Sequence, residues 1–208
     1  MSDLSPEQAR LDPYSSIAES TNVTLQEKIT GLHTVIQKAK VGMLVTRDVN
    51  GNLHSRAMTP TKPLSDTQLN LVFLANNASH KFGDIEHDAH VNVSFCDASS
   101  TDWASYSGRA RVTEDQELIS KLWSPILTGY FGDLKDGVHK GDKTDPRVAV
   151  IEVVPDEIKY WITNHSSAVR TTEVAYAAAT GKATAPGQSR IISKEEVSVH
   201  VSEELTAI

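Results

Sequence analysis

The residue pattern predicts a mainly β fold of the α+β kind. Six to seven antiparallel strands close into a barrel, with helices at its periphery. Three observations carry this expectation. Short β-rich runs recur between residues 41 and 162, bounded by turn signals such as Asn50-Gly51 and Ser65-Asp66-Thr67. Helical periodicity is confined to a few stretches, and two of them open on a capping box. Gly108 interrupts one long strand, where it marks a bulge or sharp bend of the kind barrels use to curve.

Composition narrows the function classes. The chain of 208 residues suits one ordinary domain with tails, long enough to bury a core. Its net charge of −7 argues against nonspecific nucleic-acid or anionic-membrane partners, but leaves room for a small anion held by local cations. A single cysteine, Cys96, excludes an intrachain disulfide and Cys-rich zinc motifs. The start, M-S-D-L-S-P-E-Q, lacks the basic and apolar regions of a signal peptide. No run approaches the roughly 18 apolar residues that span a bilayer. The expectation is a soluble, cytoplasmic protein.

Taken in order, residues 1–22 are polar and punctuated by Pro6 and Pro13, which reads as a poorly ordered arm. Thr24 and Glu27 form a capping box, and Leu25, Ile29, Leu32 and Ile36 then share one helical face over about 24–39. Val41–Arg47 and Leu53–Lys62 read as two strands of a hairpin around Asn50-Gly51, where glycine accommodates positive φ. Leu69–Ala75 is the third strand; its second half is apolar on both faces, as in a central strand. Ser79 is placed to cap a short helix containing Phe82 and Ile85. Strands follow at 90–97 and from Trp103 to Val112. Thr113 and Gln116 make a second capping box for a helix ending at Trp123. Residues 124–146 are rich in Gly and Pro and read as a long loop, with Tyr130-Phe131 favouring packing over disorder. Arg147–Val154 and Glu157–Ile162 read as two strands joined by a Pro155-Asp156 turn. Residues 166–190 look like a tail or linker, and Val197, Val199 and Val201 alternate as in an edge strand.

The chemistry concentrates between Ser55 and Lys81. Arg56 lies on one strand, and Ser79-His80-Lys81 opens a helix after the next. A hairpin brings its ends together, so two cations and a helix N-terminus are expected to converge on one anion. Arginine suits bidentate phosphate recognition. Elsewhere the readings are structural. His80, His87 and His90 do not have the spacing of a zincin, and no metal site is expected. Cys96 alternates with core side chains. The acidic runs Asp84-Glu86-Asp88 and Glu114-Asp115-Glu117 read as solvated helix faces. Trp161 packs in the barrel.

The order of short motifs is more specific than any one of them. A helix precedes S-R-A-M, then V-F-L-A, S-H-K-F-G-D-I, V-N-V-S-F and S-Y-S-G-R-A. There follow K-L-W-S-P, an aromatic-Gly-Asp loop, and D-P-R-V-A-V-I-E-V-V-P leading to Y-W. Over about residues 24–164 this series resembles the pyridoxamine-phosphate-oxidase-like flavin-binding split barrels, and within them the general stress protein branch with its fungal blue-light-inducible members. The resemblance implies a six- to seven-stranded antiparallel split β-barrel that holds FMN, or alternatively FAD, at a homodimer interface. It implies a flavin-binding domain at 23–164, between a flexible arm (1–22) and a C-terminal tail (165–208) that is partly disordered or docked.

By the same resemblance, Arg56 and Lys81 bind the phosphate with Ser79 assisting. The backbone at Arg56, Ala57, Met58 and Thr59 lines the isoalloxazine ring, and Val72, Phe73 and Leu74 add backbone contacts and apolar packing. Trp103, Ser105 and Trp123 reach the partner subunit's flavin, and Tyr130 supplies an aromatic wall where relatives often carry Trp. For Met58 and Phe73 ordinary core packing is the competing reading. True pyridoxamine-phosphate oxidases carry a cationic C-terminal extension. Here that region is Ala- and Thr-rich with Arg170 and Arg190 isolated, so vitamin B6 oxidation is not expected. The expected function is a flavin-dependent oxidoreductase of a stress or light response, taking electrons from a nicotinamide nucleotide or another small donor. The alternative is a non-catalytic flavin carrier, buffer or sensor. No catalytic residue is assigned.

Overall fold

The computed structural model describes residues 6–19, 22–163 and 165–199. Helices α1 (Pro6–Leu11), α2 (Pro13–Ala18) and α3 (Leu25–Ala39) precede strands β1 (Gly42–Arg47), β2 (Leu53–Met58) and β3 (Leu71–Asn76). Then come α4 (Lys81–His87), β4 (His90–Cys96), β5 (Trp103–Thr113), α5 (Gln116–Leu122), a 3-10 turn at Pro125–Leu127 and α6 (Thr128–Phe131). The chain closes with β6 (Val148–Thr163), α7 (Ser167–Thr180) and β7 (Gly187–Ile192). The strand order is β2-β1-β4-β5-β6-β3, with β7 added to β6. The ladders β1–β2, β3–β6 and β6–β7 are antiparallel. This is the expected fold class.

The chain forms two compact units. One comprises the segment up to Ala39, Ser94–Ser105 and the chain from Glu157; the other comprises Lys40–Val93 and Tyr106–Asp156. In the first unit the Thr24 box forms as read: Glu27 accepts from the Thr24 N–H at 2.8 Å, and Thr24 accepts from the Glu27 N–H at 3.3 Å. Ile29, Leu32 and Val35 of α3 are buried. The Tyr160 hydroxyl donates to the Lys28 carbonyl at 2.7 Å, and Gly31 leaves room for it: a Cβ there would sit 2.8 Å from that oxygen. Asp102 is fully buried, yet it accepts from Lys38 (2.9 Å) and from the Thr163 N–H (2.7 Å). Burial pushes its pKa up, but those donors, with Ser100, outweigh it and hold the group below the usual carboxylate value.

In the second unit the β1–β2 turn matches its sequence. Gly51 has φ +85°, and Asp48 accepts from the N–H groups of Asn50 and Asn52. A buried cluster of Val72, Ile119, Phe131, Val148 and Val150 packs under Leu118, Leu122 and Trp123. Gly108 is required by contact. A Cβ there would lie 2.2 Å from the Val154 carbonyl oxygen, so β5 approaches the β6 backbone too closely for any side chain.

Several elements differ from expectation. Residues 147–162 are not a hairpin: Val148–Thr163 is one strand of 16 residues. Its first part pairs with β3 from Val148 to Val153, and its last part pairs with β7 from Ile158 to Thr163. Pro155 and Asp156 fall between these ladders, where proline removes no hydrogen bond from either. Six strands, not seven, therefore precede residue 164, and β7 supplies the seventh.

Other boundaries move by local chemistry. β2 stops at Met58 rather than Lys62, with Pro60 and Pro63 just beyond. The α5 helix starts from Asp115, whose carboxylate accepts from the Leu118 N–H at 2.8 Å, two residues later than the Thr113 box implied. Residues 124–146 contain the 3-10 turn and α6; of the aromatic pair expected to pack, Phe131 is buried but Tyr130 is exposed. Residues 6–18 of the N-terminal arm carry α1 and α2, and Tyr14 stacks on the buried Trp161 at 5.6 Å. Residues 166–190, read as a tail or linker, form α7 and most of β7. Val197 and Val199 are helical rather than extended; Val201 lies outside the described residues.

Candidate functional site

The β1–β2 register decides what Arg56 faces. Leu44 is paired with Arg56 and Thr46 with His54, so Thr46 and Arg56 are diagonal neighbours on one face. Leu44 and Thr46 are both fully buried, which turns Arg56 inward, while Ala57 and Thr59 are exposed and Met58 is half-buried. From the Asp48 turn outward, the hairpin thus puts one guanidinium over a buried hydroxyl.

Arg56 Nη1 donates to Thr46 Oγ1 at 2.5 Å. Thr46 in turn donates to Asp84 Oδ2 at 2.6 Å, and Arg56 Nη2 reaches the same carboxylate oxygen at 3.4 Å. Three elements, β1, β2 and α4, therefore meet at one polar node. The side chains of Arg56 and Asp84 are 24% and 13% exposed. Asp84 was expected on a solvated acidic face; it is turned inward instead. Lys81 and Asp84 are three residues apart on α4, and Ile85 beside Asp84 is buried. That periodicity was the available signal.

Lys81 belongs to the same neighbourhood. Burial first, and then the charge of Arg56, pull its ammonium below the ordinary lysine pKa. The charge of Arg56 thus reaches Lys81. Lys81 Nζ also donates to Ser79 Oγ and lies 5.5 Å from the centre of the Phe82 ring. Ser79 does not cap α4 with its side chain: it donates its only hydroxyl proton to the Asn76 carbonyl at 2.7 Å. Its effect is to hold Lys81.

β3 supplies a different resource. It ends the strand order, with β6 on one side. The Val72 carbonyl accepts from the Thr61 N–H at 2.8 Å, on the side away from β6. By the period of two, the backbone groups of Leu74 face that same side, while those of Phe73 enter the β6 ladder. The Phe73 side chain is fully buried. Val72 belongs to the buried cluster against which Leu74 and Trp123 pack, and Trp123 contacts Phe131 at 5.8 Å between ring centres.

The second unit therefore brings Arg56 and Lys81 together, with Thr46 and Asp84 added. It also gathers Val72, Leu74 and Trp123. Tyr130 is 82% exposed. Trp103 and Ser105 belong to the other unit, where Trp103 is exposed and Ser105 half-buried. No group of three or more His, Cys, Asp or Glu able to hold a metal occurs among the described residues. No described helix is long and apolar enough to cross a membrane.

Known proteins give the fold and family. The chain is 38% identical over 187 residues to protein bli-3 of Neurospora crassa, covering 89% of each chain. It resembles the crystal structure of general stress protein 26 from Bacillus anthracis at 29% identity and TM-score 0.53, covering 66% of this chain and 94% of that one. It also resembles a general stress FMN/FAD binding protein from Xanthomonas citri at 25% identity and TM-score 0.53, covering 69% of this chain and 91% of that one. The split-barrel fold implied by the motif series is thus that of solved general stress proteins. Residues 27–185 match the family model described as pyridoxamine 5'-phosphate oxidase like, a span containing every element from most of α3 through α7. The chain belongs to the pyridoxamine 5'-phosphate oxidase-like family.

Proposed function

We propose that this protein binds FMN, with Arg56 and Lys81 on the phosphate, and uses it as a flavin-dependent oxidoreductase in a stress or light response. One observation carries the reading: the part-buried Arg56 pairs with Asp84 at 3.4 Å, and the part-buried Lys81 stands one helical turn before Asp84 on α4, so two cations share one carboxylate. A dianionic phosphate would balance the charge left over, so the donor set fits the group. Ser79 assists by steering Lys81. The outward backbone groups of Leu74 suit the hydrogen-bonding pyrimidine edge of the ring, the Val72 carbonyl being taken by the Thr61 N–H, and Met58, two residues from Arg56 on β2, suits its apolar body. The Xanthomonas citri relative, described as FMN/FAD binding, supports a flavin; FMN is favoured over FAD because the cations suit a terminal phosphate.

A homodimer completes the proposal. Exposed Met43 and Leu53 on the β1–β2 hairpin, with Tyr130, offer apolar surface to a second copy. Trp103, Ser105 and Trp123 would then face the flavin of the partner subunit. Bound flavin would supply hydride exchange with a nicotinamide nucleotide or another small donor. A non-catalytic flavin carrier, buffer or sensor, also cytoplasmic, is the second reading. It is favoured by the state of Asp84, which already accepts from Thr46 and Arg56 and so is not a free acid or base. Vitamin B6 oxidation is not proposed, since Arg170 and Arg190 are committed to Ser100 and Gln188.

The test uses the purified full chain. Bound flavin absorbance, or quenching of added FMN fluorescence, is expected, with FAD titrated alongside. Anaerobic addition of NADPH or NADH then separates the readings: bleaching supports the enzyme, and stable oxidised flavin supports the binder. A colourless protein that ignores added FMN would sink both.

A further inference from the structure

The Arg56 guanidinium does not stand alone. A free arginine head rotates about several bonds, and ordering it costs entropy that a bound phosphate must repay. Here the buried Thr46 hydroxyl gives its one proton to Asp84, at 2.6 Å, and therefore turns a lone pair toward Arg56, which donates to it at 2.5 Å. The orientation of that hydroxyl is fixed by Asp84, and the orientation of Arg56 is fixed by the hydroxyl. Arg56 spends Nη1 on Thr46 and makes one long contact to Asp84 at 3.4 Å. A guanidinium has five N–H donors. The remainder of the fork is left for an anion.

Thr46 is the least expendable part. It lies on β1 with no exposed surface, so the ligand itself does not touch it. A buried strand position of this kind ordinarily takes valine, which has the same shape and a higher strand preference. A hydroxyl there is justified only by its two partners.

Resting on the FMN reading above, we propose that Thr46 and Asp84 are positioning residues of the phosphate site: their relay presets Arg56 for a flavin phosphate and so sets the preference for FMN over riboflavin. Neither residue is catalytic. Their contribution is confined to the phosphate end, because riboflavin carries the same ring without the phosphate.

The experiment compares FMN and riboflavin affinities, by fluorescence quenching, for the wild-type chain, Thr46→Val and Thr46→Ser, with the Tm of each flavin-free protein. Thr46→Val is expected to weaken FMN binding roughly five- to ten-fold, about the net worth of one ordinary hydrogen bond, because the loss acts on the phosphate only through Arg56. Riboflavin binding stays unchanged, and Thr46→Ser restores the FMN preference. Thr46→Ala removes the same hydroxyl without the branched side chain and carries the same expectation should Thr46→Val fail to fold. Equal losses for both ligands, or no loss for FMN, overturn the positioning role while wild-type FMN binding keeps the flavin reading intact. A wild-type chain that binds FMN no better than riboflavin overturns the phosphate site and this inference with it.

Discussion

Two arginines of the same unit are used in opposite ways. Arg147 is spent. Its Nε and Nη2 clamp the fully buried Asp145 at 2.9 and 2.7 Å, and its Nη1 and Nη2 donate to the carbonyls of Phe131 and Gly132 at 3.0 and 2.7 Å. Asp145 also accepts from the N–H groups of Gly141 and Arg147. The bond with Arg147 outweighs burial, so the carboxyl is held well below its usual range. Arg56 is not spent. It shares one hydroxyl and one distant carboxylate, and a second cation stands beside it. A charge that is balanced on all sides holds a loop. A charge held in place but left unbalanced is prepared for a ligand.

The widest separation should come from deletion at the spent site. Arg147→Ala leaves a buried carboxylate without its partner, and Tm is expected to fall on the order of 10 °C in calorimetry. Flavin preference should be unaffected in the folded fraction. A Tm within a degree or two of wild type would mean that the Arg147 clamp is not structural. At the unspent site the pattern inverts. Arg56→Ala and Lys81→Ala are each expected to weaken FMN binding roughly 10- to 100-fold, with riboflavin binding little changed. Tm should move by no more than about 3 °C, since each change also removes a like-charge repulsion. Equal losses for both ligands would show that these residues do not meet the phosphate.

The same contrast explains what could be read from the residues alone. The Asn50-Gly51 turn and the Thr24-Glu27 box were legible because both are local: the chemistry that makes them lies within five residues. Arg56 and Lys81 were named as a pair on the wrong ground: β2 pairs with β1 and β3 with β6, so no hairpin joins their strands, and it is α4 meeting β1 and β2 at Thr46 that brings the two segments to one place. Asp84 was not legible, because an acidic residue among Glu86 and Asp88 looks solvated until its partners from β1 and β2 are known. The continuity of β6 was hidden for a related reason. Pro155-Asp156 is a turn signal, and only the changeover from β3 to β7 shows that neither ladder needs the proline N–H. Gly108 was noticed, but not the contact that requires it, since the Val154 carbonyl comes from a distant strand. The helix α7 was missed because its residues bury little: Ala177 alone of its 14 is buried, so no apolar face announced it.

The smallest effect tests whether Lys81 is waiting for an anion. In the flavin-free protein, burial and Arg56 hold its pKa below the ordinary lysine value of 10.5. A lysine in that position costs stability while charged, and the cost disappears as pH rises toward the unfolded value. A bound phosphate reverses the sign, because it favours the charged form. FMN binding should therefore take up protons as pH approaches the lowered pKa. Its affinity should fall above that point, no more steeply than about ten-fold per pH unit, before an ordinary lysine would titrate. Riboflavin carries the same ring and corrects for titration of the flavin itself. Calorimetric titration in two buffers of different ionisation enthalpy reads the proton uptake directly. Uptake for FMN and none for riboflavin places the phosphate at Lys81. Identical uptake for the two ligands would assign the protons elsewhere and leave Arg56 to hold the phosphate alone.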